Sequence, residues 1–282
     1  MAASQPGEAR GSDASGKNSS LDSHEQARRL AAAADDPTGW FERLYSAAAS
    51  GEAGVPWDRG EPHPLLVGWL KERTREPRDE ARPDAGAPPP TEQKATLPTE
   101  QKATVGAERR ATVATGRRAV VVGAGLGEDA EFVSRQGWET VAFDISESAV
   151  RAAKRRFPHS IVDYRVADLF AVPDEWHEAF DLVVESMTVQ SLPPDLHPQA
   201  IAHVRRLLAP GGTLLVIGMV GDPERPADGP PWPLTRTEID GFASDDVRIV
   251  RLEEVADAGR PDVRWWRAEF VRCHANAGSA TR

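Results

Sequence analysis

The chain has 282 residues, 40% hydrophobic and 28% charged, enough for one large domain with extensions. Its 44 acidic against 34 basic residues, a net charge of −10, remove any general attraction to a phosphate backbone, so nucleic acid is not an expected partner. A single cysteine, Cys273, excludes an intrachain disulfide and a cysteine-built zinc site, and no metal is expected.

The N-terminus is polar and lacks an apolar h-region, and no apolar run approaches the roughly 20 residues of a membrane span. The expectation is a cytoplasmic protein without a membrane partner. With no obvious exposed apolar element, it is also expected to be monomeric.

In chain order, residues 1–22 are rich in Ser, Gly, Ala and charge and read as a disordered tail. Residues 23–75 read as a helical lid. Asp22 or Ser23 is the expected cap of a helix through Leu30 and Ala34. Asp36-Pro37-Thr38 starts a second helix with Trp40, Phe41, Leu44 and Tyr45 at apolar positions. The segment from Pro56 to Pro64 is too rich in Pro and Gly for regular structure, and Leu65, Leu66, Trp69 and Leu70 then recur at helical spacing. Residues 76–116 lose all apolar period. They hold Pro88-Pro89-Pro90 and a direct repeat, Thr91 to Thr96 and Thr99 to Thr104, and read as an inserted linker.

Order returns at residue 117. Strands are expected over 119–122, 140–143, 162–166, 181–184 and 213–217, with helices over 129–135, 147–157 and 197–208. That alternation predicts βαβ units on a parallel sheet. Two strands with no helix between them, 247–254 and 262–271, predict a C-terminal antiparallel hairpin, and residues 273–282 a disordered tail. The basic run Arg151 to Arg156 reads as a solvated helix face.

The strongest chemical signal is Gly123-Ala124-Gly125-Leu126-Gly127, where a strand runs through closely spaced glycines into a helix and a ligand can approach the backbone. The next strand ends at Asp144, whose carboxylate can accept hydrogen bonds from both hydroxyls of a ribose, though Asp there is also an ordinary helix cap. Asp168 follows the third strand, where a carboxylate can hold an adenine amino group while Leu169 or Phe170 lies against the ring; a plain turn is the alternative. Phe180 to Ser186 ends a fourth strand at the edge where open α/β sheets place their sites.

Taken in order, the glycine loop, Asp144, Asp168, Phe180-Asp181-Leu182-Val183 and Leu208-Ala209-Pro210-Gly211-Gly212 resemble the class I S-adenosylmethionine-dependent methyltransferases. The resemblance covers about half the chain. It implies an α/β fold, a Rossmann-like and mostly parallel seven-stranded sheet with a C-terminal antiparallel hairpin, and S-adenosyl-L-methionine as cofactor. The implied cofactor contacts are Gly123, Ala124, Gly125, Gly127, Asp144, Ile145, Ala167, Asp168 and Leu169.

A narrower resemblance, to the thiopurine and thiol/halide methyltransferases, rests on Trp40, on Pro56-Trp57-Asp58-Arg59-Gly60 and on Gly229-Pro230-Pro231-Trp232. It implies that Trp40 contacts the cofactor, that Trp57, Ser186 and Trp232 line the acceptor pocket, and that a small thiol or other soft nucleophile is methylated. Where those enzymes carry Asp-Arg after the fourth strand, this chain has Glu185-Ser186.

An oxygen or nitrogen acceptor needs a general base, for which Glu185 is the candidate, with His63 and His197 behind it. Rival readings are an NAD(P)-dependent oxidoreductase on the same loop and a non-catalytic nucleoside-binding protein. The former lacks its Tyr-x-x-x-Lys pair, since neither Tyr45 nor Tyr164 has Lys four residues on.

Overall fold

The computed structural model describes residues 14–33, 36–75 and 116–274. The tandem repeat and nearly all of the linker expected over 76–116 lie outside the described residues, as do positions 1–13 and most of the expected C-terminal tail.

The parallel part of the sheet is built from β1 (Arg118–Val122), β2 (Glu139–Asp144), β3 (Asp163–Val166), β4 (Phe180–Ser186) and β5 (Leu208–Met219). β6 (Val247–Ala256) and β7 (Arg264–Arg272) are antiparallel, and the seven strands lie in the order β3-β2-β1-β4-β5-β7-β6. The chain thus winds outward from β1 to β3, then returns to place β4 on the other side of β1.

Both faces of this sheet are covered, which is why the central strands read as continuous apolar runs rather than alternating ones. The two-residue strand period sorts them. Val120, Val122, Phe143, Val183 and Val216 pack toward Ala200, Ile201 and Val204 of α6 (His197–Arg206). Ala119, Val121, Ala142, Val184 and Ile217 pack toward the opposite face. There they meet Ala130 and Val133 of α4 (Glu128–Arg135), Val150 and Ala153 of α5 (Glu147–Arg156), and Leu66, Trp69 and Leu70 of α3 (Pro64–Arg75).

The N-terminal helices therefore split into two roles. Helix α3, expected as part of a lid, is a sheet-covering helix; Trp69 Nε1 donates to Glu269 of β7 at 2.7 Å, and Arg267 of β7 pairs with Glu72. Helices α1 (Ala14–Ala32) and α2 (Gly39–Ala49) form the cover proper. Helix α1 runs straight through Asp22 and Ser23, so neither is its cap, and the stretch expected as a disordered tail is helical from Ala14 onward.

Two further corrections concern the second half. The strand expected over 213–217 begins at Leu208, so Pro210-Gly211-Gly212 sits inside β5 as an irregularity, with pairing jumping from Phe180–Leu208 to Leu182–Thr213 and Gly211 at φ 78°. A short helix, α7 (Arg236–Asp240), was not expected, yet its capping box is written in the sequence as Thr235 and Glu238.

Helix α2 is fixed to the core by one carboxylate. Glu42 accepts from the Ser146 hydroxyl at 2.6 Å and from the Ser148 N–H at 3.0 Å and its hydroxyl at 2.5 Å, all at the start of α5. Against its partial burial, these bonds hold the Glu42 pKa below the ordinary carboxylate value. The basic run on α5 contributes as well: Arg151 pairs with Glu147 and Arg156 with Asp58 of the Pro/Gly loop at 2.9 Å.

Replacing Glu42 by Ala should lower unfolding free energy by about 1 kcal/mol at pH 7, the usual size of a lost helix cap. The difference should vanish as pH falls below the carboxylate range, because the bonds favour the ionised form. Urea titrations at pH 7 and pH 3.5 check both. An unchanged midpoint at pH 7 would mean that α2 docks by apolar packing alone.

Candidate active site

Strand β4 lies next to β1 although β2 and β3 come between them in sequence, so the loops after β1 and β4 diverge and leave a crevice at the carboxyl edge of the sheet. A cleft with about 700 Å³ of open space, solvent included, sits there. Gly123 lines it, at φ 58°; a Cβ at this position would fall 2.4 Å from Thr188 Oγ1, which donates to the Val122 carbonyl at 2.8 Å. Glycine here lets the loops after β1 and β4 close on one another.

Asp144 is the electrostatic centre. It is 7% exposed, and each oxygen accepts one backbone N–H: Oδ1 from Ser146 at 2.9 Å and Oδ2 from Gly125 at 2.9 Å. Burial pushes its pKa up to about 6; the two N–H bonds act against that rise and the nearby Glu42 adds to it. A carboxylate oxygen carries more than one acceptor site, so both can still take a hydroxyl from a ligand. Past Asp144 the wall is Ile145, Ala167, Leu169 and Phe170, an apolar slot with Asp168 beside it. Asp168 accepts from the Phe170 N–H at 2.9 Å and opens the 3-10 turn Leu169–Ala171.

The cover supplies Thr38, Phe41, Tyr45 and Trp57. Trp57 Nε1 donates to the Tyr45 hydroxyl at 2.8 Å, tying the Pro/Gly loop to α2. Met187 and Ser186 complete the side facing β4, and Met187 holds φ 66°, a conformation costly for any residue with a Cβ.

Of the residues singled out in the sequence, Gly123, Asp144, Ile145, Ala167, Asp168, Leu169, Trp57 and Ser186 meet around this cleft. Ala124 and Gly125 line an adjoining recess that also includes Trp57 and Ser186. Four others are elsewhere. Trp40 is 1% exposed and packs with Ala27 and Leu44 between α1 and α2, while Phe41 and Tyr45, four residues apart and so on one helix face, take the place expected for it. Gly127 opens α4 at φ 97° against the Tyr164 hydroxyl and serves packing. Trp232 lines a separate surface pocket with Arg225 and Glu238.

Glu185, the fourth, is 0% exposed and does not line the cleft. Its Oε1 accepts from the N–H groups of Thr188 and Val189, at 2.8 and 2.9 Å, so it caps the turn that carries Met187, and burial raises its pKa to about 7. Neither histidine lines the cleft, and each is buried, His63 with Nε2 unpartnered. His63 Nδ1 accepts from the Leu65 N–H, and burial, aided by Arg59, lowers its pKa to about 3. His197 has both ring nitrogens engaged, by Glu238 and the Leu192 carbonyl.

The cleft-lining positions missed in the sequence include Phe41, Tyr45 and Met187. The first two carried a readable signal as an i, i+4 aromatic pair; Met187 carried none, because its backbone conformation depends on the turn that Glu185 caps.

A model of the methyltransferase domain matches residues 120–216. Thiopurine S-methyltransferase of Vibrio vulnificus (strain YJ016) is 27% identical over 84 residues, 29% of this chain and 38% of that protein. Its namesake in Vibrio atlanticus (strain LGP32) is 24% identical over 153 residues, 49% of this chain and 70% of that protein. A solved structure concerned with conversion of a disulfide bond into a thioacetal group during echinomycin biosynthesis shares the fold, with a TM-score of 0.55 at 19% identity, covering 83% of this chain and 93% of that one. The glycine turn, the carboxylate with unused acceptor sites and the apolar slot fit the nucleoside half of S-adenosylmethionine, and the region 120–216 is a class I S-adenosylmethionine-dependent methyltransferase domain.

Proposed function

We propose that the chain methylates a small molecule at a soft nucleophile, a thiol first among them. One observation carries this reading: among the described residues lining the cleft, no general base is left over for the acceptor. The titratable side chains there are Tyr45, Asp144 and Asp168. The two carboxylates keep acceptor sites, but these are the ones the cofactor's ribose and adenine would take, and burial, together with the charge of Asp144, drives the Tyr45 pKa well upward while its oxygen is taken by Trp57. A hydroxyl or ammonium acceptor must lose a proton to react, whereas a thiol with a pKa of about 8.5 is partly ionised in neutral water without help. The Vibrio relatives named above are sulfur methyltransferases by their names, which supports the same choice.

S-adenosylmethionine supplies a methyl group already activated on a sulfonium. The protein's share is to align the acceptor and exclude water. Asp144 receives the ribose hydroxyls, Asp168 the adenine amino group, and the aromatic wall of Phe41, Tyr45 and Trp57 presents ring faces suited to a sulfonium cation. Closing α2 over the cleft dries the reaction centre.

Calorimetric titration with S-adenosylhomocysteine, with NAD in parallel, is the direct test. Micromolar binding of the former alone is expected, followed by methylation in a panel led by thiols and iodide; preference for NAD would place the glycine loop in an oxidoreductase instead.

Because Asp144 must be ionised to accept from hydroxyls and its pKa lies near 6, affinity for S-adenosylhomocysteine should fall as pH drops through 6, approaching tenfold per unit below it. Affinity flat between pH 5 and 8 would remove Asp144 from the ligand.

Glu185→Gln should keep thiol methylation within about tenfold of wild type, against the 10²–10⁴-fold loss expected for a general base. Its stability above pH 7 should match or exceed wild type. The raised Glu185 pKa means the folded state favours the neutral form, so ionisation costs stability as pH rises through about 7, and the amide avoids that cost. A collapse of kcat with the fold intact would make Glu185 the base after all.

A further inference from the structure

A second, wider cavity, about 1960 Å³ of open space against about 700 Å³ for the cleft, adjoins it. The two share Trp57, Met187 and Ser191, so what lies in one faces what lies in the other across those residues. Helix α1, the Pro/Gly loop, the turn after β4 and the β6–β7 turn all contribute to its wall, which brings together Arg28, Arg59 and Arg260 from three separate segments.

Two of these guanidinium groups have no ion-pair partner among the described residues. Among the described residues, Arg28 makes one long bond, to the Pro230 carbonyl at 3.4 Å, and no ion pair, while Arg59 has no ion pair and lies 5.5 Å over the Trp265 ring. Arg260 is 3.7 Å from Asp257. The carboxylates of the same wall are largely committed. Glu25 pairs with Arg29, and Asp257 accepts from the Gly259 and Arg260 N–H groups and from Trp265 Nε1. Glu61, exposed at the rim, has no hydrogen-bond partner among the described residues. Burial, and then Arg28 and Arg260, lower the pKa of His24, also in the wall.

Deeper in the cavity stands Gln190, 0% exposed. Its Oε1 accepts from the Met219 N–H at 2.6 Å, which fixes the amide orientation and leaves Nε2, a double donor, buried with no partner. Trp40 Nε1, His63 Nε2 and Glu185 Oε2 are unpartnered too, but Gln190 alone of the four lines this cavity, where an acceptor atom of a ligand could meet its amide.

We infer that this cavity takes an anionic methyl acceptor, a small thiol bearing a carboxylate, with the carboxylate held by Arg28, Arg59 and the Gln190 amide and the sulfur presented at the Trp57–Met187 junction. The inference rests on the methyltransferase reading above and names its substrate class. In the transfer, the acceptor loses its thiol proton to solvent, the thiolate sulfur forms the new bond to the methyl carbon, and the carbon–sulfonium bond breaks with its electron pair kept by the cofactor sulfur, leaving a neutral thioether on each side.

The test compares 3-mercaptopropionate with its methyl ester on the full chain saturated with S-adenosylhomocysteine, by calorimetry, and then by initial rates with S-adenosylmethionine. The acid should bind at least about tenfold tighter than the ester, and the ratio should fall toward one in Arg28→Gln and in Arg59→Gln, through KM rather than kcat. The ester's thiol ionises more readily, so acidity does not explain a preference for the acid. Binding of the acid no tighter than the ester, or of neither, with S-adenosylhomocysteine bound, overturns the anionic acceptor and leaves the cofactor reading standing. Failure of S-adenosylhomocysteine itself to bind removes the reading beneath both.

Discussion

The site depends on a carboxylate that the fold keeps away from water. Asp144 takes one N–H from the glycine loop after β1 and one from the start of α5, and so holds two loops from different βα units in one geometry. Ionising a buried carboxylate is costly, and those two N–H groups are what make it tolerable. The strain of that compromise shows as a pKa pushed up toward neutrality, and a ligand that adds hydroxyl donors relieves it further. The residue that joins the two loops is therefore also the one with acceptor sites to offer a ligand.

The cover is attached by the same means. Glu42 presents its carboxylate to Ser146 and Ser148, so α2 is bonded to the turn that begins with Asp144 rather than to a distant surface. Trp57 and Tyr45 then join the Pro/Gly loop to α2. The cover and Asp144 are linked through a few atoms, and Glu42 in turn raises the Asp144 pKa. A cover attached through polar contacts at its edge can leave its inner wall aromatic.

Much of this was legible in the sequence because it follows from periodicity and glycine spacing. The strand–glycine–helix run at 119–135, the acid ending β2 and the helix-free pair of C-terminal strands were all readable, since local rules fix them. What was not legible depends on which face a residue turns and on what covers it. Trp40 and Phe41 are adjacent, and a rotation of about 100° per residue decides that Phe41 meets the cleft and Trp40 the helix pair. Glu185 looked like a base at a strand end, yet the tight turn through Met187 folds its carboxylate back onto two N–H groups. Helix α3 read as lid because its amphipathic pattern says that it packs, not against what.

An acidic chain that binds an anion faces a specific electrostatic problem. At a net charge of −10, the far field repels an incoming carboxylate, and at physiological ionic strength that field decays over about 8 Å. Within that length local charges dominate, so guanidinium groups from α1, the Pro/Gly loop and the β6–β7 turn can reverse the sign of the potential at the cavity while the rest of the surface stays acidic. Exposed cations alone discriminate poorly, because water competes for them. Gln190 differs: it is buried, its orientation is fixed by the Met219 N–H, and it repays a ligand only when an acceptor atom reaches it. In the proposed complex, attraction by arginines at the rim and selection by the amide at the floor would divide the task between long range and short, and the turn after β4 that holds Gln190 also holds Met187 at the boundary with the first cleft.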